Sequence, residues 1–145
     1  MKRRRPSAKS GNAALELALT FLMLWGLLSG AFRYGYSMYI YESLVTAVAG
    51  AARYGARVDF DAKTHSFVAA VKNMAVYGSP ITGQVPLAPH LTVDNIDVTW
   101  TSDATGVPRT MTLKVINYSV NAVFQSFTWS GKPSVTVRFA GRYLT

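Results

Sequence analysis

Apolar residues fill the run Asn12–Phe32 with one charge among them, Glu16, and no second carboxylate appears before Glu42. At ~1.5 Å rise per residue, a helix over this run reaches about 30 Å, one hydrocarbon thickness. No proline occurs from Ser37 to Arg57, and Tyr39, Ile40, Leu44, Val45 and Val48 recur at helical spacing. The pattern predicts one continuous helix from about Ala13 to about Val58, longer than a bilayer needs and suited to assembly. Asp61 is placed to cap a second helix, with Phe67, Val68, Val71, Met74 and Ala75 as its apolar face. Gly78, Pro80 and Gly83 end it, and Pro86 and Pro89 keep the next connection irregular.

Beyond that connection the period falls to two. Met111, Leu113 and Val115 alternate with Thr112 and Lys114. Val135, Val137, Phe139, Gly141 and Tyr143 alternate with Thr136, Arg138, Ala140 and Arg142, as in a half-buried strand. Leu91–Trp100 is a third strand, its phase slipping near Asp94-Asn95 as at a bulge. Two helices followed by about three strands predict an α+β fold, a small antiparallel sheet packed on helix. Trp100, Trp129 and Phe139 are expected as core or edge aromatics of that sheet. Three regions result: a basic leader 1–11, a membrane and assembly helix 12–58, and a head domain 59–145 small enough to have a marginal core.

Charge adds direction. The formal net charge is +8, and Lys2, Arg3, Arg4, Arg5 and Lys9 gather directly ahead of the apolar run. Cations beside a span stay on the cytoplasmic side, and amphipathic rings favour the interface. The five cations therefore put the N-terminus inside, with Phe32, Tyr34, Tyr36, Tyr39 and Tyr41 at the outer interface and the head exported. The other cations are scattered without a stripe of interleaved aromatics, which argues against nucleic acid.

With no cysteine, disulfides and thiolate metal sites are excluded. His65 and His90 stand far apart, and Asp94, Asp97 and Asp103 lack the order of a cation-binding loop. There is no nucleophile elbow, phosphate-cradling glycine loop or pair of catalytic carboxylates. The expectation is a protein without enzymatic activity, metal or cofactor.

Glu16 calls for a reason, because a charge within a span costs about 2.5–3.5 kcal/mol on insertion scales. A cut between Gly11 and Asn12 would free an α-amine four residues before it, on the same helical face. In a stack of such helices the carboxylate would pair with the amine of a neighbouring subunit, and a paired buried charge fixes register. The competing reading is an acid in the headgroup zone with no partner. Gly11 offers no side chain to obstruct an extended scissile bond in a protease cleft, although a helix-start glycine of no consequence fits the same residue. Gly26 and Gly30 form a GxxxG, which lets two backbones approach closely. Ala47, Ala51 and Gly55 continue small-xxx-small spacing, for helix packing or simply from an alanine-rich helix.

Together these marks resemble a type IV prepilin-like signal. The continuation through Gly11–Leu17, Gly30–Tyr36 and Ala47–Arg57 resembles the TadE-like minor pseudopilins of tight-adherence (Flp-type) pili. The resemblance covers about the first third of the chain. It departs from the common family pattern in having no proline in the apolar run and Leu17 where an aromatic often follows the glutamate. It implies processing by a prepilin peptidase, an inner-membrane aspartic protease acting on the cytoplasmic side. It also implies pilins, pseudopilins and pilus assembly machinery as partners, besides membrane lipid. The alternative is an uncleaved, single-pass signal-anchored protein whose exported domain is an interaction module. Cleavage by ordinary signal peptidase after Ser29-Gly30-Ala31 fits poorly, since the apolar region is too long and carries Glu16. Twin-arginine export fits no better, because Pro6 follows the arginines.

Overall fold

The computed structural model describes residues 8–61, 66–83, 85–104, 106–122 and 125–144. The fold is α+β: a long apolar N-terminal helix, a second helix, and a three-stranded antiparallel sheet with two small two-stranded additions. Helix α1 runs Ala8–Gly55. It starts about a turn and a half before the position expected near Ala13, because nothing in Ala8-Lys9-Ser10 breaks a helix and Gly11 only weakens one, by about 1 kcal/mol. Its end is tightened: the Arg57 and Val58 amides both donate to the Tyr54 carbonyl, at 3.0 and 3.1 Å. The chain divides into two compact units, Met1–Tyr36 and Ser37–Thr145. About five turns of α1 therefore fold with the head.

Within the head, Ile40, Leu44, Ala47, Val48, Ala51 and Ala52 are buried along one face of α1. Val45, in the same helical recurrence, is half-buried at the edge of that face, while Tyr39 lies off it and is 65% exposed. The spacing from Ile40 to Gly55 is that of a single helical stripe, and Tyr39 falls one residue, about 100°, to its side. The small residues have a use inside the chain. A Cβ on Gly55 would stand 2.5 Å from Met111 Cε and 2.9 Å from Val71 Cγ2. Ala47, Ala51 and Gly55 thus belong to the head's own packing.

Next come β1 (Phe60–Asp61) and α2 (Ser66–Tyr77). Asp61, expected as a helix cap, is placed in β1, and residues 62–65 between it and the first described turn of α2 lie outside the described residues. Phe67, Val71, Ala75 and Val76 are the buried face of α2, while Val68 and Met74 are half-buried. Gly78 closes the helix in the left-handed region at φ 69°, its amide donating to the Met74 carbonyl at 3.0 Å.

The sheet is β2 (Ile96–Ser102), β3 (Pro108–Val115) and β6 (Ser134–Arg138), with β3 in the middle and both neighbours antiparallel. Ile96, Val98, Met111, Leu113 and Val115 supply the buried face. Facing Thr101–Thr110 and Thr112–Thr136 hydroxyl pairs, at 2.5 and 2.9 Å, and a Lys114–Asp97 ion pair at 3.0 Å occupy the other face. Each such cross-strand pair contributes roughly 0.2–1 kcal/mol.

Two expected strands are shorter than their patterns. Leu91–Trp100 is a loop, a 3-10 turn at Val93–Asn95 and then β2; the register shift lies between Thr101 and Ser102 instead. The alternation after Val135 spans two strands, because β6 stops at Arg138 and β7 (Tyr143–Leu144) pairs in parallel with β1. Gly141 marks the transfer: a Cβ there would collide with the Val58 carbonyl oxygen. Close backbone approach at that point leads the chain out of the sheet and alongside β1.

A hairpin of β4 (Tyr118–Ala122) and β5 (Gln125–Trp129) completes the head. It carries the stacked rings of Tyr118, Trp129 and Phe127, with centroids 5.9 Å apart in each consecutive pair. Asn95 joins hairpin to sheet. Its Nδ2 donates to the Ile116 and Asn117 carbonyls at 3.2 and 3.1 Å, and its Oδ1 accepts from the Thr92 amide and hydroxyl at 3.1 and 2.8 Å. Asn95→Ala leaves four polar groups seeking new partners. It is expected to lower head stability by about 2–3 kcal/mol, measured by urea unfolding of the full chain in detergent; a loss under about 0.5 kcal/mol would show that water replaces the amide.

Candidate assembly helix

In the Met1–Tyr36 unit, α1 buries no described side chain. Eleven large apolar residues between Leu15 and Phe32 are exposed, Leu17 at 72% and Leu27 at 74%. Covering such side chains is worth about 1.5–3 kcal/mol each, so the run forgoes roughly 15–30 kcal/mol in water. That exceeds the whole net stability of an ordinary domain, about 5–15 kcal/mol. The helix is long and apolar enough to cross a membrane. Along it Phe21 stacks on Trp25 with centroids at 6.3 Å, and Phe32 on Tyr36 at 6.4 Å.

Glu16 sits on this helix, exposed, with no cation beside its carboxylate among the described residues. Its backbone carbonyl accepts a hydrogen bond from the Thr20 hydroxyl at 2.9 Å. Because α1 begins at Ala8, Glu16 lies in the third turn, beyond the first-turn reach of the helix dipole. Only a helix that began at Asn12 would bring it near a positive end. Gly11 and Asn12 are themselves helical, so an extended Gly11–Asn12 bond requires the first turn to open. Gly11 eases that opening, since glycine disfavours the helix by about 1 kcal/mol relative to alanine.

A Cβ on Gly26 or Gly30 would meet nothing within 4 Å. The GxxxG face is open, unlike the Ala47–Gly55 stripe buried in the head. Lys2, Arg3, Arg4 and Arg5 lie outside the described residues, and Lys9 is placed in α1 by its backbone alone. The structure therefore brings Gly11, Asn12, Glu16, Gly26 and Gly30 onto one uninterrupted helix.

The rest of the chain offers little chemistry. Among the described residues no group of three or more His, Asp or Glu side chains converges to hold a metal. His90 is exposed in a turn at φ 59°, and His65 lies outside the described residues. One open groove of about 340 Å³ lies in the head, lined by Tyr39, Glu42, Ser43, Thr46 and Leu87. Alternation and helical spacing give no hint of it, because its far wall comes from the irregular connection after α2. No protein-family model, curated protein or solved structure matches the chain.

Proposed function

We propose that this chain is a structural subunit, a TadE-like minor pseudopilin of a Tad/Flp-type pilus or related secretion apparatus. It is held in the bacterial inner membrane until it is incorporated. The N-terminus is cytoplasmic and the head exported, as the cations ahead of the span direct. A prepilin peptidase cuts between Gly11 and Asn12, and the chain itself carries out no chemistry. Other pilins or pseudopilins receive α1 through the open Gly26–Gly30 face and the Glu16 carboxylate.

One observation carries this reading. The Gly11–Phe32 part of α1, which buries no described side chain, bears a lone carboxylate and two uncovered glycines. A plain anchor has no need of Glu16, since the charge only raises the cost of insertion. A stacked helix uses it, because the α-amine of the neighbouring subunit neutralises the carboxylate in one axial position.

The deciding experiment is intact-mass analysis of the membrane fraction from cells with and without an active prepilin peptidase. The expected mature chain begins at Asn12 only where the peptidase works. A chain that keeps Met1–Gly11 in the presence of the enzyme would replace this reading by that of an uncleaved signal anchor with an exported interaction domain.

A further inference from the structure

The connection after α2 holds apolar side chains out into solvent while its backbone is pinned. The Asn73 side-chain Nδ2 donates to the Pro80 carbonyl at 3.3 Å, and the Leu87 backbone amide donates to the Val76 carbonyl at 2.7 Å. Ala88 and Leu91 are buried beyond it, and the Tyr118 hydroxyl donates to the Pro89 carbonyl at 2.6 Å. Between these fixed points Ile81 is 75% exposed, Val85 78% and Leu87 50%. A segment fastened at both ends that still presents its oily residues is displaying them, and no Asp, Glu, Lys or Arg occurs from Gly78 to Val93.

The position of Leu87 indicates the cover for these tips. It forms one wall of the groove whose other wall is Tyr39 and the next turns of α1. Tyr39 is only seven residues past Phe32, the last residue of the apolar run. Even a fully extended chain spans at most ~3.6 Å per residue, which keeps Tyr39 within about 25 Å of the span's end however the head is turned. At helical rise the separation is ~10 Å. Tyr39 also belongs to the run of amphipathic rings that mark a membrane interface.

We propose that the Ile81–Leu87 segment is a second membrane contact, inserting Ile81, Val85 and Leu87 into the headgroup–acyl boundary of the outer leaflet while Tyr39 lies at headgroup level beside them. Uncharged apolar tips held between points where the head fastens the backbone can enter that boundary, where polar groups keep access to water. The contact holds the head against the bilayer before assembly, and release from it accompanies removal of the subunit from the membrane. This rests on α1 being the span, and the experiment separates the two ideas.

The chain has no cysteine, so single thiols report cleanly. Leu22→Cys, Val85→Cys and Ser102→Cys are each exposed positions that a fluorophore labels without disturbing the core. The labelled full-length chains are reconstituted into phosphatidylcholine vesicles with doxyl groups placed either shallow or deep on the lipid tails. The expected result is deep-doxyl quenching at position 22, shallow-doxyl quenching with blue-shifted emission at 85, and water-like emission at 102. Quenching at 22 with a water-like label at 85 overturns the second contact and leaves the span intact. A label at 85 that is shielded from water yet untouched by either doxyl lipid overturns it in favour of a protein neighbour. Absence of quenching at 22 removes the span and the second contact with it.

Discussion

Phe60→Ala is expected to destabilise the head by about 3–5 kcal/mol, the range for deleting a buried phenylalanine. Phe60 is 3% exposed and stands among three other rings. Its centroid lies 4.7 Å from Phe67, 5.6 Å from Trp100 and 6.0 Å from Phe139. Phe67 and Trp100 close the cluster at 5.4 Å. One ring therefore joins α2, β2 and the chain leaving β6. Edge-to-face and tilted pairs add about 0.5–1.5 kcal/mol each beyond area burial.

β1 is two residues long, with the Phe60 amide bonded to the Arg142 carbonyl at 2.8 Å and its pairing to β7. Losing the ring should release the β1–β7 pair before the three-stranded sheet opens. Denaturant unfolding of the full chain in detergent, followed by tryptophan fluorescence, measures the loss, and Trp100 reports the site directly. A midpoint corresponding to less than about 1 kcal/mol of destabilisation would show that the surrounding rings collapse into the space.

The sequence makes some of this legible and hides the rest, for reasons that can be named. The apolar run and the helical recurrence of Ile40, Leu44 and Val48 each keep one period over many residues, so α1 can be read through. Met111, Leu113 and Val115 alternate without interruption and are buried as expected. The β4–β5 hairpin is not legible. Tyr118 and Val120 alternate properly, but the turn region carries no glycine or proline, the punctuation on which a hairpin reading depends.

Phe60 escapes a sequence reading because a two-residue parallel pair has no period at all; only three dimensions bring the C-terminal residues beside Val58. The break between Arg138 and Tyr143 is invisible for the opposite reason. Alternation continues through Gly141, although a contact with the Val58 carbonyl diverts the chain. At the candidate site, Glu16 and the two glycines stand out because they violate the apolar pattern around them. The Ile81–Leu87 display does not, since an apolar residue in a loop gives no local sign of whether the fold covers it.

Glu16→Ala is the second large effect, and its expected outcome separates insertion from assembly. Removing a charge from the apolar run should make insertion easier, by as much as about 2.5–3.5 kcal/mol if the site lies at bilayer depth. The amount of protein in the membrane fraction should therefore be unchanged or higher. Incorporation should fall sharply. In the proposed stack the carboxylate neutralises the α-amine of a neighbouring subunit, and deleting one partner of a buried ion pair costs about 3–5 kcal/mol. At 1.4 kcal/mol per factor of ten, that is roughly a hundredfold to several-thousandfold loss in the equilibrium for adding a subunit.

Glu16→Gln keeps the size and much of the hydrogen bonding and removes only the charge, so it should fail nearly as badly. Glu16→Asp keeps the charge on a shorter arm and should recover part of the function. Fractionation into membrane and sheared-fibre pools measures incorporation. The intact mass of each variant shows whether the chain starts at Asn12, so that a missing cut is not mistaken for a missing contact. Normal incorporation of the alanine variant with the leader removed would eliminate the ion pair as the device that sets axial stagger, leaving the open Gly26–Gly30 face to do so by shape alone.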